Sequence, residues 1–281
     1  MWKDGVVIAE ACRLAIVPVG DHDKDRWYRL DLPRETPLAE FDAVLNRKDP
    51  PFDIEYIVGT WLLEHAERQG ARVFNAPRAV RDHSEKLSIM QFTDFTVPTI
   101  VARLPEQIQK FIDANGDAIV KPLDGMGGQG IFRVTDRDPN RNAIVETVTA
   151  GGMRTIMAQR YIPEIRDGDK RVLVIGGKPV PYALARIPKS GETRGNLAAG
   201  GTGVARPLSA RDRLIAETLG PELMRRGLLL VGLDVIGDYL TEVNVTSPTC
   251  IRELDAQFGL NIAGTLFDRI EARLAGSEPA R

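Results

Sequence analysis

The chain has 281 residues, enough for one large or two ordinary domains, and its 37 basic and 39 acidic side chains leave a net charge of −2. That balance, with aromatics at 6% and not interleaved with Lys and Arg, implies no polyanion partner, so no nucleic-acid partner is expected. Cys12 and Cys250 form neither a disulfide framework nor a zinc pattern, and no uninterrupted apolar run reaches about 18 residues, so a cytoplasmic protein without membrane contact is expected.

Residues 6–19 carry no signal peptide, because Glu10 and Arg13 interrupt them and no cleavage site follows; they read as one or two strands, and residues 20–34 as a charged loop. Residues 41–45 read as a short buried strand, stopped by Pro50 and Pro51. Asp53 suits the N-cap of a helix over 54–69 that Gly70 closes, and a strand at 72–75 precedes a helix opening at Pro77. This alternation predicts an α/β layer up to about residue 84. Residues 84–92 read as a helix, on which Lys86 has the pattern of a solvated lysine. Residues 104–114 are amphipathic and close at Asn115-Gly116.

A strand at 118–121 ends in Lys121 and runs into PLDGMGGQG (122–130), before a strand at 131–134. Four glycines in six residues let successive N–H groups point one way, as in a phosphate cradle; a mobile turn is the other reading. No Gly-Lys-Ser/Thr follows, which excludes a Walker loop, and the loop opens a strand rather than a helix, which excludes a dinucleotide fingerprint. A lysine inside an apolar strand calls for a bound anion or a carboxylate, since burying it unpaired is costly.

Residues 155–162 read as a strand ended by Pro163, and 170–175 and 179–186 flank a hairpin at Gly176-Gly177. Residues 187–204 are glycine-rich and aperiodic but contain Arg194 and Asn196, which favours a lid or binding loop over a disordered insertion. Helices are expected over 210–226 and 261–274. Between them an apolar run at 228–236, a turn at Gly237-Asp238 and a strand at 239–245 place Asp234, Glu242 and Asn244 inside a sheet. Hard oxygen donors without His or Cys suit Mg²⁺; carboxylates hydrogen-bonded at a sheet edge are the alternative. A two-residue turn alone would pair Asp234 with Thr241 and turn it away from Glu242 and Asn244. Three donors on one face therefore require an odd-length loop or a bulge, and one of these is expected.

Several segments together resemble the bacterial glutathione synthetases, carboxylate–amine ligases of the ATP-grasp superfamily. They are RKDPPFD (47–53), EKL (85–87), KPLDGMGGQGIFRV (121–134), DGDKRVLV (167–174), ARIP (185–188), GETRGNLAAGG (191–201) and VGLD with TEVNVTSPTCIRE (231–253), in consistent order from residue 45 on. The resemblance implies an α/β (α+β) architecture. A truncated pre-ATP-grasp α/β domain over 1–84 precedes an ATP-grasp domain over 85–274, split into a lid subdomain (85–158) and a catalytic subdomain (159–274). It further implies ATP-dependent ligation of γ-glutamylcysteine and glycine to glutathione through an acyl phosphate. Lys86 and Lys121 would meet the ATP phosphates under a loop carrying Gly125, Gly127, Gly128 and Gly130. Gln159, Tyr161 and Ile162 would line the adenine pocket, and Asp169 would lie in the nucleotide site. Asp234, Glu242 and Asn244 would hold two Mg²⁺ ions, or Mn²⁺ in their place. Arg171, Arg186, Arg194 and Asn196 would face the acyl phosphate and the dipeptide. The family also implies a homo-oligomer, a tetramer among its forms. It carries a strand and helix ahead of the region matching residue 1, so about one such unit is expected to be missing here. Two other readings remain: a nucleotide-binding protein with little turnover, and a related ATP-grasp ligase joining another acid and amine.

Overall fold

The computed structural model describes residues 1–17, 27–189, 195, 197 and 200–276. The largest sheet among them has five antiparallel strands in the order Thr202–Pro207, Lys178–Ile187, Asp169–Ile175, Leu230–Ile236, Tyr239–Asn244. The two-residue period of a strand sorts its side chains between two cores. Val172, Val174, Val231, Leu233 and Val235 pack with Ile215, Leu219 and Leu223 of helix Ala210–Arg225. Leu173, Ile175, Leu184 and Leu230 turn the other way, onto helices Ile251–Phe258 and Ile262–Leu274. A sheet covered on both sides reads as continuous apolar runs, which is how residues 172–175 and 228–233 appear in sequence. Along the second face the chemistry then changes. Asp169 and Arg171 continue the row of Leu173, Arg186 that of Leu184, and Asp234 that of Leu230, so the face becomes charged beyond its helical cover.

A second antiparallel sheet orders Phe132–Thr135, Asp117–Pro122, Ile156–Arg160 and Thr99–Ala102. Helices Pro105–Asn115 and Arg141–Thr149 back it through Ile108, Ile112, Val145 and Val148. The amino-terminal region is thinner. It has a three-stranded sheet (Trp2–Lys3, Val6–Ala11, Arg34–Pro37), a hairpin of Leu14–Ile16 with Tyr28–Leu30, and a parallel pair of Val44–Leu45 with Val73–Phe74. Asp53 caps helix Ile54–Arg68 as expected, its Oδ1 accepting from Tyr56 N at 2.9 Å. Among the described residues no helix is long and apolar enough to cross a membrane.

Residues 84–92, expected as an α-helix, contain only the 3₁₀ helix Leu87–Gln91. Tertiary contact overrides the local pattern there: Glu85 lies along strand Tyr239–Asn244, its carbonyl accepting from Val243 N at 2.9 Å. Several elements had no sequence signal strong enough to mark them, and two of these, strands Tyr28–Leu30 and Thr202–Pro207, start within stretches expected as loops (20–34 and 187–204). Thr99–Ala102 is half-buried at every position and so lacks alternation. Arg141–Thr149 is rich in β-branched residues and has no side-chain cap, and Ile251–Phe258 starts from Cys250 in the left-handed region (φ 84°), again uncapped.

Candidate active site

The register of the acidic hairpin resolves the parity problem posed by its sequence. Ile236 pairs with Tyr239 and Val235 with Leu240 across the two-residue turn, but Asp234 pairs with Glu242 and Gly232 with Asn244. Thr241 is the extra residue of a bulge, one of the two expected solutions. Asp234, Glu242 and Asn244 therefore share one face. Asn75 clamps the open end of the hairpin, donating to Leu230 O and Val245 O while its Oδ1 accepts from Leu230 N.

That face and the second sheet enclose a cleft of about 420 Å³. Lys86, Lys121, Gly125, Gly127 and Gly128 line one side, and Gln159, Tyr161 and Ile162 another. Asp169, Arg171, Arg186 and the three hairpin donors line the remainder. Gly127 and Gly128 have φ of 63° and 82°, backbone that side chains rarely adopt, so the loop can present consecutive amides. Gly130 stands back from the wall, packed on Pro122. Arg194 and Asn196 lie outside the described residues.

Two lysines meet the hairpin. Lys86 is only 5% exposed, against the solvated lysine its local pattern suggested. Its Nζ is 3.0 Å from Glu242 Oε1 and donates to Gly125 O in the glycine loop. Lys121 is equally buried and donates to Thr241 O at 3.3 Å, the carbonyl that the bulge turns toward it. Burial lowers the Lys121 pKa to about 8, with Glu242 opposing and Lys86 adding to the fall.

Beside them runs an alternating chain of charges. Arg171 donates to both carboxylate oxygens of Asp234 at 2.5 and 3.2 Å. Arg186 Nη2 reaches Asp234 Oδ2 at 2.8 Å and Asp169 Oδ2 at 2.6 Å. Burial pushes the Asp234 carboxyl up, but the two guanidiniums outweigh it and hold it well below the usual carboxylate range. For Asp169 burial wins over Arg186 and the pKa is raised; its Oδ1 is buried with no hydrogen-bond partner among the described residues. Asn244 uses its amide nitrogen on Gly232 O at 3.1 Å. No group of three His, Cys, Asp or Glu converges among the described residues. A cation here would therefore be held by one or two carboxylates, an amide oxygen and its ligand's own oxygens, a set that fits Mg²⁺.

Glu85, Thr246 and Arg47 were not singled out from the sequence. Glu85 and Thr246 line the cleft, and Glu85 Oε1 accepts from Val245 N, Thr246 N and Thr246 Oγ1 at 2.8, 3.0 and 2.9 Å. Burial, then Glu242, pushes the Glu85 pKa up. Arg47 donates to Pro248 O at 2.8 Å, joining the amino-terminal region to the loop after the hairpin. The available signal was the acid directly before Lys86, to which a helical reading of 84–92 assigns no role.

Residues 85–259 match the family described as prokaryotic glutathione synthetase, ATP-grasp domain, and residues 1–81 match prokaryotic glutathione synthetase, N-terminal domain. A glutathione synthetase of Ralstonia nicotianae is 64% identical over 254 residues, covering 90% of this chain and 78% of that protein. One of Nitrosomonas europaea is 61% identical over 276 residues, covering 98% of this chain and 85% of that protein. Among solved structures, D-cycloserine synthetase DcsG superposes with a TM-score of 0.63 at 17% identity, over 84% of this chain and 86% of that one, a likeness of fold alone.

Proposed function

The chain belongs to the prokaryotic glutathione synthetase family, and from that premise we propose how its cleft carries out an ATP-dependent ligation of γ-glutamylcysteine and glycine. The enzyme is a carboxylate–amine ligase of the ATP-grasp fold that uses ATP and a divalent metal. A carboxylate is a poor electrophile, so the cysteinyl carboxylate first takes the γ-phosphoryl group of ATP. The glycine amine then attacks the acyl phosphate, and glutathione, ADP and phosphate leave. Phosphoryl transfer of this kind demands positioning and charge neutralisation more than covalent help from the protein.

Lys86 and Lys121 bind the phosphates from the side of the glycine loop, and Gly125, Gly127 and Gly128 offer backbone amides above them. Gln159, Tyr161 and Ile162 hold the adenine, and Asp169 lies in the nucleotide site. Arg171 and Arg186, already fixed by carboxylates, face the developing charge of the acyl phosphate, with Arg194 and Asn196 in the same role. Asp234, Glu242 and Asn244 would hold Mg²⁺, two ions in this reading, with Mn²⁺ able to substitute. A bound divalent ion supplies charge neutralisation at the transferring phosphate. Residues 1–84 contribute on the substrate side, and residues 85–274 form the grasp around the nucleotide.

The observation that carries this reading is the bulge at Thr241, which sets three oxygen donors on one face opposite two buried lysines. A regular two-residue hairpin would pair Asp234 with Thr241 and turn it away from Glu242 and Asn244. Apolar side chains standing in water at the amino-terminal end, Ile16, Leu30 and Leu32, support a homo-oligomer, a tetramer in this reading, and two free cysteines support the cytoplasm. The test is ADP release with ATP, Mg²⁺, γ-glutamylcysteine and glycine, omitting each in turn. Release that depends on all four is expected. Release indifferent to the dipeptide, or a strong preference for another acid, would overturn the assignment.

A further inference from the structure

We infer that Glu85 is a positioning residue, fixing Lys86 against the acidic hairpin through the hydrogen bonds it accepts rather than through its charge; the inference rests on the ligase reading above. Strand Tyr239–Asn244 is the edge of the five-stranded sheet, and an edge strand presents amides that the sheet leaves unpaired. One residue takes up three amides along this edge and just past its end. The backbone carbonyl of Glu85 accepts from Val243 N at 2.9 Å, and its Oε1 accepts from Val245 N at 2.8 Å and Thr246 N at 3.0 Å. The Thr246 hydroxyl donates to the same oxygen at 2.9 Å. Glu85 thus lies on the sheet as a one-residue extra strand, and its side chain takes over where the chain turns away.

Two parts of the cleft are set by this attachment. Lys86 follows directly, and its Nζ lies 3.0 Å from Glu242 Oε1, on the strand whose next amide Glu85 holds. Thr246 opens the loop through Ser247 and Thr249 that lines the cleft, and Arg47 holds the middle of that loop at Pro248 O. A single acceptor oxygen therefore ties the phosphate-side lysine to the loop on the other side of the hairpin. The negative charge itself brings nothing to this arrangement. Glu242 stands close enough to repel it, no described residue offers it a cation, and Oε2 accepts from no described donor. What the position requires is an oxygen at the reach of a glutamate.

Two conservative variants of the full chain separate these terms. Glu85→Gln keeps the acceptor at full reach and discards the charge; Glu85→Asp keeps the charge and withdraws the acceptor by one methylene, about 1.5 Å. ADP release is followed against ATP and against γ-glutamylcysteine, beside thermal melting. Glu85→Gln is expected to stay within about threefold of the unaltered chain in kcat and in both KM values. Glu85→Asp is expected to lower kcat about tenfold to a hundredfold and to raise the KM for ATP, with a folded protein at assay temperature. A purely structural role would lower the melting temperature of Glu85→Asp and leave kcat per folded molecule unchanged. That result overturns the inference, as does the reverse order, with Asp active and Gln impaired. If the unaltered chain gives no turnover, the ligase reading itself has failed. ATP affinity by direct titration then reads the same comparison, with Gln expected to bind like the unaltered chain and Asp more weakly.

Discussion

Lys121 is held in the cleft at a cost that can be measured as a dependence on pH. Its ammonium is buried, its one described hydrogen bond is the 3.3 Å contact to Thr241 O, and burial takes its pKa from 10.5 to about 8. At 1.36 kcal/mol per pH unit, this depression destabilises the ligand-free fold by about 3 kcal/mol wherever the side chain is protonated in both states. Between pH 8 and 10.5 the unfolded chain binds more protons than the folded one, so the stability of the unaltered protein rises with pH across that window. Lys121→Met removes the group and leaves Thr241 O unpaired, which costs about 1 to 2 kcal/mol at every pH. The variant is therefore expected to be about 1 to 2 kcal/mol more stable than the unaltered chain at pH 7, and less stable by a similar amount near pH 10.5. Urea unfolding in EDTA, without nucleotide, measures the difference at both ends. The same variant is expected to lose ATP binding, since the proposed function gives this lysine the ATP phosphates. A variant less stable at pH 7, or a difference that does not change sign with pH, would refute the reasoning.

The remaining predictions concern other sites. His83 is buried beside Arg226 with its Nε2 unpartnered among the described residues, and burial, then Arg226, lowers its pKa to about 4. The unfolded chain then binds more protons between pH 4 and 6.5, so up to about 3 kcal/mol of stability is lost as pH falls through that window, and His83→Gln should flatten the acid limb of the stability profile. At Gly220 an added Cβ would lie 2.3 Å from Gly177 O, where helix Ala210–Arg225 rests on the hairpin turn. Gly220→Ala must push two backbones apart and should cost about 1 to 3 kcal/mol in urea unfolding while kcat per folded molecule stays unchanged. Glu242→Gln removes both the Lys86 partner and one expected metal ligand; the Mg²⁺ concentration for half-maximal ADP release should rise tenfold or more, and an unchanged requirement would remove Glu242 from the metal site.

What could be read in the chain before its structure divides by the distance over which each feature is decided. Helix Ile54–Arg68 is signalled by its own cap at Asp53, and the glycine loop by its own composition, so both could be placed from local residues. The pattern around Lys86 carries no sign of its burial, which is imposed from elsewhere: Glu85 takes donors some 160 residues away at Val245 and Thr246, and no periodicity around residue 86 records them. The uncapped helix after Cys250 and the half-buried strand Thr99–Ala102 failed to announce themselves for a similar reason, being stabilised by what they pack against.

The hairpin lies between these cases. Parity alone required an irregularity, yet could not choose between a longer turn and a bulge, because both restore Asp234 to the face of Glu242. The core decides it. Leu240 packs in the same cluster as Val235, its partner across the strands, while Glu242, two residues on, must face the cleft. A regular strand would place Leu240 and Glu242 on one side, so one extra residue is needed between them, and a longer turn would add it too early to keep Leu240 opposite Val235. Thr241 is the one residue between them, and its displaced carbonyl becomes the acceptor for Lys121. The packing demand of one leucine thus fixes where the bulge falls, and the bulge places both the carboxylate face and the hydrogen-bond partner of Lys121.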